Sequence, residues 1–213
     1  MKRLSRWSLP LKRCMIRLAR WPKRYGFGAQ SPFAFRLITD VIGQRAPYYS
    51  YQELTEREKL YPSTPHPACC RETLQMKRLL FRLVNFIQPS NCLSVGDASV
   101  SQLYLQAGKR EMNFWHASSL DEIIQKLDEK VDFLYLHRVE SPSLLREAFR
   151  LCAPLTTDQS LVVVQGIGYT PEMKKLWHEL KGDPLVSVSF DLFDLGLLFF
   201  DRSKQRQHYK VSF

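Results

Sequence analysis

Four short stretches carry residue types that could hold or act on a ligand. The first is CLSVGDASVSQLYL, Cys92 to Leu105, an apolar run that breaks at Gly96 and Asp97 and resumes at helical spacing. A strand that turns on glycine into a helix brings backbone N–H groups and the positive helix end toward a nucleotide. Val95, Gly96 and Asp97 are therefore candidate cofactor-binding residues, and His116 joins them at the end of the next apolar run, NFWHASS. The third stretch, DFLYLHRV, ends on His137 and Arg138. His137 is the candidate general base, because an imidazole titrates near neutrality, although no partner acid stands beside it in sequence. The fourth, VVVQGIGYT, puts Gln165 and Gly166 after a strand, with Thr170 capping a helix that starts at Pro171 and Glu172.

Metal chemistry is not indicated. The five cysteines, Cys14, Cys69, Cys70, Cys92 and Cys152, show no CxxC or Cys/His spacing, which suits thiols in a reducing, cytoplasmic setting. Phosphate-loop, zinc-protease and nucleophile-elbow motifs are also absent from the sequence.

The elements that must position these residues alternate. Strands are expected at Cys92 to Val95, Asn113 to His116, Val131 to Leu136, Leu161 to Gln165, Val186 to Asp191 and Leu197 to Asp201, with helices between the first five. Strands separated by helices imply a parallel sheet covered on both faces, and the short LFDLG link implies an antiparallel hairpin at the end. The fold class is α/β, a doubly wound, Rossmann-like sheet with N-terminal helices. Upstream, Ser31 and Pro32 open a helix carrying Phe35, Ile38 and Ile42 on one side; a helix-like run covers 51 to 60, and another covers about 71 to 86, with Leu74, Leu79, Leu83 and Phe86 at helical spacing. Three units are expected: a basic arm at 1–24, a helical segment at 25–70 and the α/β domain at 71–213.

The net charge of +10 is concentrated in the arm. Lys2, Arg3, Arg6, Lys12, Arg13, Arg17, Arg20, Lys23 and Arg24 stand there with no acid, so the rest of the chain is nearly neutral, which argues against nucleic-acid binding by the body. Leu4, Trp7, Leu11, Cys14 or Met15, Leu18 and Trp21 recur at steps of three and four, an apolar stripe opposite a cationic face on a helix expected at 11–21. Such a helix packs its stripe on its own domain or a second subunit, making a homo-oligomer, or lies on an anionic membrane, where each basic residue contributes about 1 kcal/mol. No apolar run reaches the roughly 18 residues of a membrane span.

Successive βα units finishing in a hairpin resemble the class I S-adenosylmethionine-dependent methyltransferases. GFGAQSPFAFRLITDVI, YYSYQELTEREKL and the C-terminal VSVSFDLFDLGLLFFDRSKQRQHYKVSF are similar to a bacterial group related to the O-methyltransferases, with Gln30 where that group usually has histidine. The resemblance implies S-adenosylmethionine as the cofactor, held at Val95, Gly96, Asp97 and His116. It also exposes departures. Ser94 stands where the turn should carry an acid, the second glycine after Gly96 is missing, and the second strand ends without the carboxylate that would accept from the ribose hydroxyls. His137, Arg138, Gln165 and Gly166 stand where the metal-dependent members carry acids, so no hard-cation site is implied and the mouth of the sheet should be neutral to cationic. The single helix-sized segment SLDEIIQKLDEK implies that one edge strand is lost.

Three readings remain open on the sequence: a divergent, metal-independent methyltransferase; a noncatalytic binding or subunit protein on that fold, using the aromatics of PYYSYQ and the arm; and an anion or nucleic-acid binder using Arg138 and the arm.

Overall fold

A computed structural model describes residues 8–21, 29, 31–60, 72–126 and 130–213. The Pro-rich YPSTPHP segment, Cys69, Cys70, Gln30, Gly26, Gly28 and the first seven residues lie outside the described residues.

A seven-stranded sheet organises the chain, in the order β2-β1-β3-β4-β6-β5-β7. Its strands are β1 (Asn91–Val95), β2 (Asn113–Ala117), β3 (Phe133–Leu136), β4 (Leu161–Gln165), β5 (Val188–Asp191), β6 (Leu195–Phe199) and β7 (Gln207–Lys210). The first four pair in parallel, β6 runs antiparallel between β4 and β5, and β5 joins β6 through the tight turn at 192–194. The expected hairpin is present, and β2 forms an edge among the described residues, where the resemblance places one more strand. β6 begins at Leu195, earlier than the expected Leu197, because Leu195 and Gly196 pair with Gln165 and Val164. The β7 strand was not expected: QHYK is short and polar, and pairs only with β5 on its inner side.

Alternation along the strands divides the core in two. Leu93, Val95, Leu134, Leu136, Val162 and Val164 face α6 (Leu120–Ile124), α7 (Pro142–Cys152) and α8 (Pro171–Gly182). Cys92, Phe133, Tyr135, Leu161 and Val163 face the other way, toward α4 (Leu74–Ile87), Leu105 of α5 (Ser101–Gly108), and α2 (Pro32–Arg36) with its π-helical continuation Leu37–Ile42. α1 (Ser8–Ala19) and α3 (Ser50–Leu60) complete the set.

Local chemistry sets several boundaries. Thr170 and Thr73 accept from Met173 and Met76 backbone N–H groups, capping α8 and α4. α1 includes Pro10, upstream of the helix expected at 11–21. Asp121 stands in the first turn of α6, as expected for an acid at a helix start. Two expected faces are corrected. Phe35 is exposed while Ala34, Leu37 and Val41 are buried with Ile38 and Ile42, because the π-helical turn rotates the later residues relative to Phe35. On α4, Leu79 and Leu83 are buried as expected, but Leu74 and Phe86, at the two ends, reach past the sheet into solvent.

Candidate functional site

The carboxyl ends of the four parallel strands bring the residues singled out above to one edge of the sheet, where open α/β folds hold ligands. Ser94, Tyr135 and Gln165 point to the α4 face and are buried, and His137, one residue past β3, follows the same alternation. The His137 Nε2 lies 3.1 Å from the Ser94 hydroxyl, and its ring stacks on Tyr135 at 4.7 Å between centroids.

Gly96 is the center of this arrangement. Its φ of +147° is a conformation L side chains rarely adopt. A Cβ there would stand 2.7 to 2.9 Å from three ring atoms of His137. The glycine of the turn therefore does admit a close neighbor, as the cofactor-loop reading requires, but the neighbor is the chain's own imidazole. Ser94, in the acid's position, supports that imidazole. The residues present do not fit S-adenosylmethionine in the way the resemblance implies, because the space on the open side of Gly96 is filled.

His116 lies close by, 6.3 Å from His137 between ring centroids. Gln102 Nε2 is 2.9 Å from His116 Nδ1, and burial, partly offset by a bond to the Ser94 backbone, pushes its pKa below the ordinary histidine value. A neutral ring that accepts from Gln102 and donates to Ser94 is a structural link between β2, α5 and β1. Asp97 lies at the surface 3.7 Å from Arg138, whose Nη1 donates to the Ser118 carbonyl.

Two acids were missed. Glu122 folds back from α6 so that its carboxylate accepts from the Ser118 backbone N–H and hydroxyl, placing a carboxylate beside the end of β2 after all. The capping pattern, Ser119 followed by Glu122, was a signal for it. Glu72 precedes the Thr73 cap, and its carboxylate accepts from the Ser101 N–H at 3.1 Å and lies 3.1 Å from the Tyr135 hydroxyl. Nothing in linear sequence marks it, since an acid beside a helix start is ordinarily solvated. With Asp97 beside Arg138 and the Glu122 carboxylate at the end of β2, the mouth is mixed in charge, where a neutral to cationic field was expected. Among the described residues, no three His, Cys, Asp or Glu side chains come together as ligands for a metal ion.

Glu72 retains some surface as a residue, but its carboxyl group is enclosed, and this desolvation pushes its pKa up against the hydrogen bonds from Ser101, Tyr135 and Ser99. Tyr135 has one hydroxyl proton and two oxygen neighbors, Glu72 Oε1 and Gln165 Oε1 at 2.8 Å. Both are satisfied when Glu72 carries a proton of its own, the state that burial favors. An acid whose folded pKa is raised takes up a proton on folding. Its contribution is most favorable below the ordinary glutamate value near 4.5 and is lost as pH rises toward the raised value. Glu72→Gln is therefore expected to raise the melting temperature at pH 7 to 8 by a few degrees and to leave it unchanged near pH 4. Melting curves across that range check this, and a variant that melts lower at pH 8 would show that Glu72 is ionised in the fold.

No model of a known protein family matches this sequence, and no curated protein matches it. Solved structures do. A Staphylococcus aureus protein assigned as a caffeoyl-CoA O-methyltransferase superposes with a TM-score of 0.55 at 12% identity, covering 72% of this chain and 93% of that one. The SAH-bound Podospora anserina methyltransferase PaMTH1 gives 0.53 at 10% identity, covering 80% and 96%. A Bacillus cereus O-methyltransferase in complex with SAH gives 0.51 at 11% identity, covering 77% and 96%. The chain thus has the class I methyltransferase fold, with an antiparallel strand inserted between β4 and β5 and one further strand, β7, at the far edge.

Proposed function

We propose that this protein is a noncatalytic member of the methyltransferase fold, a binding or subunit protein whose cofactor cleft has been rebuilt as a closed polar core. The observation that supports the reading is the His137 ring on the open side of Gly96, braced by Ser94 and Tyr135. A sulfonium cofactor laid against this turn would have to displace that ring, break its bond to Ser94 and leave buried polar groups without partners, each at a cost of about 1 to 3 kcal/mol. The general base expected at His137 is on this reading a packing and hydrogen-bonding residue.

The test is calorimetric titration of the purified protein with S-adenosylmethionine and S-adenosylhomocysteine. No heat is expected at millimolar ligand. Saturable binding in the micromolar range would sink the proposal and favor the second reading, a divergent methyltransferase in which His137 swings aside. The fold likeness to SAH-bound proteins supports that second reading. A His137→Ala variant distinguishes the two further, since opening the cleft should leave affinity at zero if Ser94 in the acid's place also matters, and raise it if the ring alone is in the way.

A further inference from the structure

Of the alternatives its pattern left open, the arm helix docks on its own domain by its cationic face and not by its apolar stripe. Leu9 is buried, Ile16 packs on the core, and between them Arg13 pairs with Asp194, while Arg20 pairs with Asp191. Arg17 donates to the Phe213 carbonyl and to Gln75 Oε1. Three of the nine basic residues thus hold α1 to the domain. The apolar stripe is turned outward: Leu11, Met15, Leu18 and Trp21 are 65%, 63%, 67% and 56% exposed, and Cys14 is exposed among them.

Beside this stripe lies a cleft of about 730 Å³ whose described lining includes Arg17, Trp21, Arg45, Tyr51, Arg78 and Arg82 and no acidic side chain. Arg82 is committed to the Val41 and Ile42 carbonyls at the end of the π-helical turn. Arg78 stacks on Tyr51 at 4.7 Å, and its Nε is buried with no hydrogen-bond partner. Arg78 lines this cleft, whose described lining holds no acid, and its guanidinium is suited to a phosphate oxygen. Trp21 belongs to both features, so the apolar stripe and the cationic cleft are continuous.

We infer that α1 and this cleft form a docking surface for a membrane containing anionic phospholipid, with the Leu11, Met15 and Leu18 stripe in the acyl boundary, Trp21 at headgroup level and Arg78 taking a lipid phosphate. The inference does not depend on what the sheet mouth binds. Charge selects this occupant over a second copy of the chain. Lys2, Arg3, Arg6, Lys12, Lys23 and Arg24 remain in an arm without acids, so pairing two arms would bring like charges together, whereas anionic lipid neutralises them. At 1.5 Å per residue, a 12-residue helix is about 18 Å long. That suits lying in the interface, and no described helix is long and apolar enough to cross a membrane.

The experiment is cosedimentation of the full chain with vesicles of phosphatidylcholine alone and with about 30% phosphatidylglycerol, near the anionic content of natural membranes. Binding to the anionic vesicles, weakened by high salt, is expected. The triple variant Leu11→Ser, Met15→Ser, Leu18→Ser should lose at least about tenfold in affinity with a nearly unchanged melting curve, since these side chains are mostly exposed. Arg78→Gln should lower affinity for anionic vesicles without affecting the small binding to neutral ones. The inference is overturned if the wild type ignores both vesicles, or if the triple variant binds as well as the wild type. It is also overturned if the wild type is a dimer that the triple variant dissolves while vesicles stay unbound, which would give the stripe to a second copy.

Discussion

Gly96→Ala is expected to destabilise the protein by about 3 kcal/mol, with two separable sources: a residue with Cβ forced into a sparsely populated backbone region, and a clash with a ring that cannot retreat. The ring of His137 is pinned by the Ser94 hydroxyl at 3.1 Å and by the Tyr135 stack, so it cannot swing away without breaking both contacts. Introducing Gly96→Ala into a His137→Ala background removes the clash and leaves the backbone strain. The penalty there should fall to about 1 to 2 kcal/mol. Urea unfolding of the four proteins closes the cycle. Equal penalties in both backgrounds would mean that the glycine serves only the turn, and the assignment of its open side to His137 would be lost. The proposed reading rests on this contact, so the stability experiment tests the packing behind it without any ligand.

Arg13→Met should cost about 2 to 3 kcal/mol and free the arm helix. Arg13 Nε donates to Asp194 at 2.7 Å and its Nη2 to the Tyr169 hydroxyl at 2.7 Å, and the Asp194 side chain is only 4% exposed. Methionine keeps the apolar stem and removes the charge, leaving a buried carboxylate without its cation, which costs more than the ion pair itself contributes. Adding Asp194→Asn removes that orphan charge and should restore part of the loss. The accompanying sign is faster trypsin cleavage within α1, read by mass spectrometry, since Lys12, Arg17 and Arg20 are protected only while the helix is docked. Destabilisation without faster cleavage would show that Leu9, Ile16, Arg17 and Arg20 suffice to hold α1.

The sheet was legible because burial on both faces forces continuous apolar runs, and FLYL, LVVVQ and NCLSV are short runs of this kind between helical patterns. The helix cap at Thr170 was legible because capping is a local bond between residues two or three apart. β7 was not, because QHYK draws its stability from pairing with β5, about 19 residues upstream, and its own residues alternate only weakly. Among the PYYSYQ aromatics, expected at the surface, Tyr49 is fully exposed, but Tyr51 is buried against Phe81 and Tyr104, a contact that depends on where α3 meets α4. The arm's amphipathic pattern was also legible, and its direction was not: a helix with one apolar and one cationic face can dock by either, and the acids that chose the cationic face, Asp191 and Asp194, are far away in sequence.

By itself the sequence determined the α/β order and the terminal hairpin, because these are written in local periodicity, and its resemblance to the methyltransferases added the lost edge strand and the departures from a cofactor loop at Ser94 and after Gly96. Only the tertiary structure decided what fills the space beside Gly96, where Glu72 is buried and which side of α1 faces out. Those are contacts between residues 29 to 181 positions apart, and pairings of that separation leave no periodicity to read.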